Sequence, residues 1–236
     1  MKIAISQPTF LPWPGYFALI NYVDEFVFLD NTQFAKRSWQ QRNYIKLNED
    51  KYLVTIPVIS KNKFNQKINQ VQIDYNNFQV SKFLKTIELA YKKSPYFSSY
   101  FEIFKKILNK KNKYLSELNL DVIINICNIL KINDKFTKAS IIDLDTNLTN
   151  VSQLDMICKK RSSNHYISTL GAKEYLKDLK IMPLSKAKIT YFNYEIKDYS
   201  QLGKHFIPNL SILDLLFNEG PNTLNIIKKN FFILKN

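Results

Sequence analysis

The sequence begins with KIAISQPTFLPWPGYFALINYVDEFVFLD (residues 2–30), and this stretch decides the fold. A short apolar run at 2–5 predicts a first strand. The prolines that follow exclude regular structure, and Pro14 suits the first turn of a helix over about 15–23. EFVFLD (25–30) is aromatic and β-branched, which predicts a second strand. Strand, loop, helix and strand within about thirty residues is the layout of a parallel βαβ unit.

Hydrophobic periodicity extends the α/β pattern along most of the chain. Strands are predicted at 51–58, 136–143, 164–169 and 188–192, and a period-two alternation typical of a strand covers 68–74. Helices are predicted within 77–131 (the last of them at about 113–131), at about 150–160 and 172–179, from Asn209 or Ser211 to Gly220, and once more near the end. Residues 31–46 predict irregular structure, and 61–67 predict a turn or mobile loop.

The helical stretch 77–131 separates two α/β parts. We therefore expect a single domain over 1–236, in which 1–75 and 136–236 form an α/β core and 77–131 form an inserted helical subdomain.

Composition excludes several classes of protein. Hydrophobic residues make up 45% of the 236, which is enough for a sizeable core and excludes general disorder. The four glycines are too scattered for a Walker A loop or a G-x-G-x-x-G turn. Two histidines and two cysteines cannot build a zinc finger, so no metal site is predicted. No signal peptide or apolar run long enough to span a membrane is found, which favours a cytoplasmic protein.

The net charge of +14 invites an RNA-binding interpretation. Only three of the 34 basic residues are arginine, and the lysines are scattered rather than clustered as a nucleic-acid footprint would be. The charge is therefore more typical of an AT-rich genome, although an RNA partner stays open. In so lysine-rich a chain, arginine and tryptophan are informative, and residues 13–42 contain both tryptophans and two of the arginines.

The first candidate site follows the first strand. Ligands of parallel sheets bind beyond the carboxyl ends of the strands, where Gln7 and Asp30 are predicted to lie. Helix amides after Pro14 would bind an anion, with an aromatic wall beside them. Packing of a rigid corner is the alternative interpretation. The predicted substrate-binding residues here are Gln7, Pro8, Trp13, Gly15 and Tyr16.

The second candidate site is KRSWQQRN (36–43). If the segment is extended, Arg37, Trp39 and Asn43 share one side, and Lys36 and Arg42 share the other. Guanidinium groups bind phosphates or carboxylates in bidentate fashion, and Trp39 could stack on a base or a sugar. The alternative is a solvated loop with an arginine paired to Asp30. We expect Lys36, Arg37, Trp39, Arg42 and Asn43 to bind substrate.

Two further segments contain polar residues near predicted helix starts. Ser168 precedes Gly171 and a helix, so its hydroxyl either caps that helix or binds an anion. Near the C-terminus, Asp214 and Asn218 share a helix face among leucines, which predicts a buried network or a site wall. Asn209 and Asp214 are added to the predicted binding residues. His205 and Asp30 are the candidates for acid–base catalysis.

These motifs together resemble the WbqC-like family over essentially the whole chain. The resemblance rests on KIAISQPTFLPWPGYFALI, VFLDNTQFAKRSWQQRNYIK, KNKFNQKINQVQI, the Ser94-Pro95-Tyr96-Phe97 element and FIPNLSILDLLFNEGP. Family members are similar to products of bacterial O-antigen, capsule and flagellar-glycan gene clusters. The resemblance implies a cytoplasmic enzyme that modifies a nucleotide-activated sugar, or transfers a small acyl or aminoacyl group for one.

The layout of the first two strands also resembles the N-terminal unit of HIGH-type nucleotidyltransferases. That resemblance implies a Rossmann-like, nucleotidyltransferase-like core and a ligand near the first loop, but the histidines of the H-x-G-H signature are not present there. We expect a transferase whose anionic small-molecule substrate is nucleotide-linked. No cofactor is identified beyond an activated nucleotide or acyl donor. A non-catalytic nucleotide-sugar binding protein and a tRNA-dependent aminoacyl-type transferase are the alternatives.

Overall fold

Residues 2–28 form the parallel βαβ unit that the sequence predicts. In the computed structural model, which describes residues 1–132, 135–144, 148, 150–176 and 179–234, β1 is Lys2–Ser6, α1 is Pro14–Tyr22 and β2 is Glu25–Phe28. β1 and β2 are parallel neighbours. Pro14 is the first residue of α1, where its missing N–H and fixed φ are tolerated.

The central sheet has six strands among the described residues, and its winding reverses next to β1. The further strands are β5 (Phe136–Lys138), β6 (His165–Thr169), β7 (Lys188–Tyr194) and β8 (Phe231–Leu234). The spatial order is β5-β2-β1-β6-β7-β8, and all neighbours are parallel except the antiparallel pair β7–β8. In open parallel sheets, the crevice at such a reversal point is where ligands bind.

Helices cover both faces of the sheet. α5 (Asn150–Lys160) and α6 (Lys173–Leu176) cover one face, with Ile3 and Ile5 of β1 in their core. Ala4 points to the other face, as the two-residue alternation of a strand requires. The helices that share that second core are α1, α2 (Val80–Tyr91), α3 (Phe97–Asn109), α4 (Leu115–Leu130), α7 (Ile212–Glu219) and α8 (Thr223–Lys229). No helix of the described residues is long and apolar enough to cross a membrane.

Residues 77–131, expected as a helical subdomain, contain α2, α3 and α4. Their apolar stripes meet in an aromatic cluster, where Phe83 contacts Phe10 of the β1–α1 loop at a ring-centroid distance of 5.9 Å. Phe83 also contacts Phe104 of α3 at 6.4 Å. The helices therefore pack directly against the loop that follows β1.

Residues 31–46, predicted to be irregular, contain the start of a hairpin. β3 (Arg42–Leu47) pairs antiparallel with β4 (Asp50–Thr55). The two residues between the strands, Asn48 and Glu49, both have positive φ, as a type I′ hairpin turn requires. The prediction holds for 31–41 and was wrong from Arg42 onward, because polar side chains hide the alternation of β3, in which Asn43 is buried.

Two other predictions need correction, and one strand was not predicted. Residues 68–74 form a 3₁₀ turn at Ile68–Gln70 and isolated bridges, not a strand. The strand predicted at 136–143 ends at Lys138, because a 3₁₀ turn at Ala139–Ile141 follows directly. β8 is missed because its four residues follow α8 without a loop that would signal a new element. Of the predicted helix 172–179, positions 177 and 178 lie outside the described residues.

We predict that Phe104→Ala destabilises the fold strongly. The Phe104 ring is 4% exposed in the shared helical core, and truncating a buried phenylalanine costs about 3–5 kcal/mol through lost burial and a residual cavity. Phe64→Ala is the matched control, because the Phe64 ring is 86% exposed. The control should change the free energy of unfolding by less than about 0.5 kcal/mol. Urea denaturation of both variants measures the difference, and equal midpoints would contradict the assignment of Phe104 to the core.

Candidate functional site

A cavity of about 620 Å³ opens at the carboxyl edge of the sheet. It lies where the winding reverses, between the ends of β1, β6 and β7, the start of α1 and the β3–β4 hairpin. Its lining consists of Ser6, Thr9, Pro12, Trp13, Gly15, Tyr16, Leu19, Trp39, Asn43, Tyr44, Lys51, Thr169, Leu170, Gly171, Phe192, Asn193, Tyr194 and Asn209. We call this space the aromatic cavity.

Aromatic pairs form two of its walls. The ring of Trp13 meets Tyr194 edge-on at a centroid distance of 5.4 Å, and the ring of Trp39 meets Tyr44 at 5.8 Å. Trp13 is 36% exposed and Trp39 is 52% exposed. Each tryptophan ring is held in place by a tyrosine ring and remains exposed. It therefore offers a flat surface on which a base or a sugar ring can stack.

Gly15 permits the position of Trp13. A Cβ at residue 15 would lie 2.5 Å from the Trp13 ring, closer than any real contact allows. Gly171, on the opposite side of the cavity, has open space where a Cβ would be. Only the first of these two glycines is therefore required by its surroundings.

The lining carries neutral polar groups and one cation among the described residues. Lys51 Nζ lies 5.9 Å from the centroid of the Tyr44 ring. Burial raises the pKa of Tyr16 well above its usual value and raises the pKa of Tyr194 to about 12, so both phenols stay protonated at neutral pH. At the start of α1, Pro14 has no N–H, and the amide of Tyr16 donates to Trp13 O at 3.0 Å. The helix terminus thus offers few free donors to an anion.

Buried side-chain amides hold the β1–α1 loop in place. Asn43 Nδ2 donates to Phe10 O at 3.2 Å and to Leu11 O at 2.7 Å. Asn119 Nδ2, on α4, donates to Pro8 O at 3.1 Å and to Gln40 O at 2.8 Å. Both asparagines are buried, so their amides satisfy carbonyls that water cannot reach.

The structure brings six of the predicted binding residues to the aromatic cavity. They are Trp13, Gly15, Tyr16, Trp39, Asn43 and Asn209. Gln7 and Ser168 line a neighbouring cavity on the other face of the sheet. Pro8 is buried behind the loop, where its carbonyl accepts the bond from Asn119.

The segment 36–43 is not extended throughout. The two-sided arrangement that an extended segment would give is therefore not formed. Residues 36–41 form turns, in which Arg37 has φ +58° and its amide donates to Gln41 Oε1 at 3.2 Å. Regular strand geometry begins only at Arg42. Lys36, Arg37 and Arg42 line neither of the two cavities.

The two catalytic candidates lie apart from the aromatic cavity. Asp30 is 2% exposed, and both of its carboxylate oxygens accept from Ser140, at 2.9 Å from the amide and 2.7 Å from the hydroxyl. His205 is exposed on the loop before α7, and its carbonyl accepts a bond from Lys46. Within the described ranges, no group of three His, Cys, Asp or Glu side chains is placed to hold a metal ion.

Asp214 holds the C-terminal loop from within α7. Its Oδ2 accepts from Tyr199 Oη at 2.7 Å and from Gln201 Nε2 at 2.8 Å. Gln201 Oε1 in turn accepts from the amide of Ile207 at 2.8 Å. This network fixes the segment that carries Asn209 to the cavity. Asp214 therefore supports the site from behind and is not part of the lining.

Sequence reasoning missed several residues of the lining. Tyr44 and Lys51 lie on the hairpin, of which only the second strand was predicted. Asn193 and Tyr194 end β7, beyond the apolar run that defined that strand. Extending the predicted strand 188–192 to its first polar residue would have placed Asn193 at the carboxyl edge.

We predict that Asp214 makes the protein less stable as the pH rises. Burial raises the pKa of Asp214 from 3.8 to about 6, against the opposing hydrogen bonds from Tyr199, Tyr91 and Gln201 and the charge of Lys46. The folded state thus binds the proton more tightly than the unfolded state. Its contribution is fully present below about pH 3.8 and is lost as the pH rises through about 6. Two pKa units correspond to roughly 3 kcal/mol.

Urea denaturation of the wild type and Asp214→Asn across this pH range tests the prediction. The asparagine variant should lack this part of the pH dependence. Asp50→Asn, on the exposed hairpin, controls for the loss of one negative charge. Parallel stability curves for the wild type and Asp214→Asn would contradict it.

Comparison with known proteins places the whole chain in one family. The family model described as the WbqC-like protein family matches residues 7–226. The uncharacterized protein Rv1507c of Mycobacterium tuberculosis is 34% identical over 221 residues, which cover 93% of this chain and 94% of that protein. No solved structure matches the chain. The family match includes the β1–α1 loop, the hairpin and the ends of β6 and β7, all of which line the aromatic cavity. The chain belongs to the WbqC-like protein family.

Proposed function

We propose that the protein is a cytoplasmic transferase that acts on a nucleotide-activated sugar during bacterial surface-polysaccharide biosynthesis. The observation that carries this proposal is the aromatic cavity, which opens at the point where the sheet reverses its winding. A Rossmann-like order of parallel strands binds nucleotides at this place, beyond the carboxyl ends of the strands. The gene-cluster context comes from the sequence resemblance to the WbqC-like family.

The size and the walls of the cavity suit a nucleotide sugar. A volume of about 620 Å³ is within the range of small-molecule sites. Trp13 and Trp39 offer separate surfaces on which a base and a sugar can each stack. Asn43 lines the cavity but is not expected to donate a hydrogen bond to the ligand, because its side-chain N–H groups already donate to carbonyls of the β1–α1 loop. The hydroxyls of Thr9, in the β1–α1 loop, and of Thr169, at the carboxyl end of β6, provide hydrogen-bonding groups.

Lys51 supplies the positive charge that a diphosphate needs. Lys51 is exposed on β4, and a lysine ammonium is a point charge on a flexible side chain. It can therefore contact a phosphate in the cavity without the fixed bidentate geometry that an arginine requires. The overall charge of +14 adds a long-range attraction for the same anionic ligand.

A nucleotide-sugar binding protein without catalytic activity is the second candidate. It is favoured by the chemistry of the lining, whose polar side-chain groups within the described residues are hydroxyls, amides, the two indole N–H groups and the Lys51 ammonium. Such groups bind and orient a ligand by hydrogen bonds and charge. General acid–base catalysis most often uses histidine, and the described lining contains neither a histidine nor a carboxylate, although lysine and tyrosine serve this role in other enzymes.

A thermal-shift panel of UDP-, GDP- and dTDP-linked sugars tests binding, with acyl-CoA and tRNA as other donor classes. A ligand at a hundredfold excess over its dissociation constant should stabilise the protein by about 2.7 kcal/mol. Product formation from the stabilising sugar nucleotide then separates the transferase from the binding protein. Stabilisation by tRNA or acyl-CoA alone would contradict both candidates.

Gly15→Ala should weaken the binding of the stabilising sugar nucleotide without unfolding the protein. The new Cβ displaces the Trp13 ring, which is exposed enough to swing away, while alanine suits the helical backbone. Loss of one aromatic contact costs about 1 kcal/mol, or roughly fivefold in dissociation constant. Gly171→Ala is the control on the same cavity. Isothermal titration calorimetry compares them, and equal dissociation constants would place the ligand elsewhere.

A further inference from the structure

A second cavity, of about 560 Å³, opens on the opposite face of the same sheet edge. Its walls are formed by the ends of β1, β2 and β6 and by α5. The alternation of β6 explains this arrangement, because Tyr166 and Ser168 point toward α5 while Ile167 packs in the core on the other face. We call this space the polar cavity.

The two cavities meet at the reversal point of the sheet. Ser6, Thr9 and Thr169 line both of them. Two ligands that fill the two cavities would therefore be separated by the ends of β1 and β6 alone, and would approach each other at these three hydroxyls.

Among the described residues, no charged side chain lines the polar cavity. Its hydrogen-bonding groups are side-chain amides and hydroxyls, chiefly Gln7, Thr32, Gln33, Gln153, Ser168 and Thr169. This is notable in a chain of which 23% of the residues are charged. An anionic or cationic ligand taken out of water here would lack a charged partner. An apolar ligand would leave the remaining donor and acceptor positions of these amides and hydroxyls unpaired.

Hydrogen bonds to other protein groups fix two of the amides at the wall of this space. Gln7 Nε2 donates to Thr32 Oγ1 at 3.2 Å, and Gln7 Oε1 accepts from Gln40 at 2.8 Å. Gln153 Nε2 donates to Asn31 Oδ1 at 3.0 Å, which fixes the Gln153 amide at the cavity wall. Ser168 is 2% exposed, and its hydroxyl makes a long bond of 3.4 Å to the Thr169 carbonyl. Oriented neutral donors and acceptors on a mixed polar and apolar surface suit a ligand with many hydroxyl groups.

We propose that the polar cavity binds a neutral carbohydrate next to the ligand of the aromatic cavity. The proposal rests on the proposed function in one respect, since it makes the carbohydrate the neighbour of the nucleotide sugar. The two ligands bind at the same time and contact each other at Ser6, Thr9 and Thr169.

Ligand-observed NMR tests this arrangement directly. The probes are methyl glycosides of glucose, galactose and N-acetylglucosamine, with glucuronate as the charged counterpart and UDP as the ligand of the aromatic cavity. We expect saturation transfer to at least one methyl glycoside in the presence of UDP, an interligand NOE between that glycoside and UDP, and no transfer to glucuronate.

Variants assign the signal to the cavity. Gln153→Ala should weaken glycoside binding roughly threefold to tenfold, as expected for the loss of one hydrogen bond, and should leave UDP binding unchanged. Gln79→Ala is the matched control, because Gln79 is exposed at the start of α2 and its side chain makes no capping bond. Trp39→Ala should do the opposite of Gln153→Ala and weaken UDP alone.

The outcomes separate this inference from the proposed function. If no glycoside binds, if glycoside and UDP compete, or if Gln153→Ala binds glycoside normally, the carbohydrate site is refuted. If a glycoside binds and responds to Gln153→Ala while no nucleotide or nucleotide sugar binds, the carbohydrate site stands and the proposed function is refuted.

Discussion

The site depends on the satisfaction of buried carbonyls in the loop that follows β1. This loop crosses the carboxyl edge of the sheet with prolines at 8, 12 and 14, which have no N–H and cannot continue a strand. The carbonyls of Pro8, Phe10 and Leu11 accept their bonds from Asn43 and Asn119, two buried side chains that are distant in sequence. A buried carbonyl without a donor would cost about 1–3 kcal/mol, so each amide fixes the loop at the same time as it stabilises the fold.

Hydrogen bonds from Asn119 and from the backbone of the loop also connect the two segments that carry the tryptophans of the aromatic cavity. Asn119 also binds Gln40 O, and the amide of Phe10 donates to Trp39 O at 2.8 Å. The loop that carries Trp13 and the turn that carries Trp39 are therefore joined through backbone and amide bonds, on a support provided by α4. This explains why the helices inserted between β4 and β5 pack against the sheet edge. They position the walls of the site as well as filling the core.

The elements that could be predicted from the sequence are those with one dominant period. The βαβ unit and the helices between 77 and 131 were found because their apolar residues face a single core. β3 was not, because a polar residue such as Asn43, which is buried by long-range hydrogen bonds, resembles a solvated one in sequence. Asn119 shows this most clearly. It lies on the apolar face of α4, and its partners are 111 and 79 residues away along the chain.

The net charge of the chain acts on a ligand at long range, whereas the mostly neutral groups that line the cavities act only on contact. The protein carries 34 basic and 20 acidic residues, yet the described lining of the aromatic cavity contains Lys51 as its one charged side chain, and that of the polar cavity contains none. Scattered surface lysines create a field that attracts an anion from solution but is screened over about 8 Å at physiological salt. At the sheet edge itself, the proposed ligands would be discriminated by stacking and by neutral hydrogen bonds, which salt does not screen, together with the single charge of Lys51 in the aromatic cavity. The arginines do not alter this division. Arg161 pairs with the buried Glu25 at 2.8 Å and so serves the scaffold. Arg37 and Arg42, the two arginines expected to bind the ligand, line neither cavity, so the ligands proposed for these cavities depend on other groups.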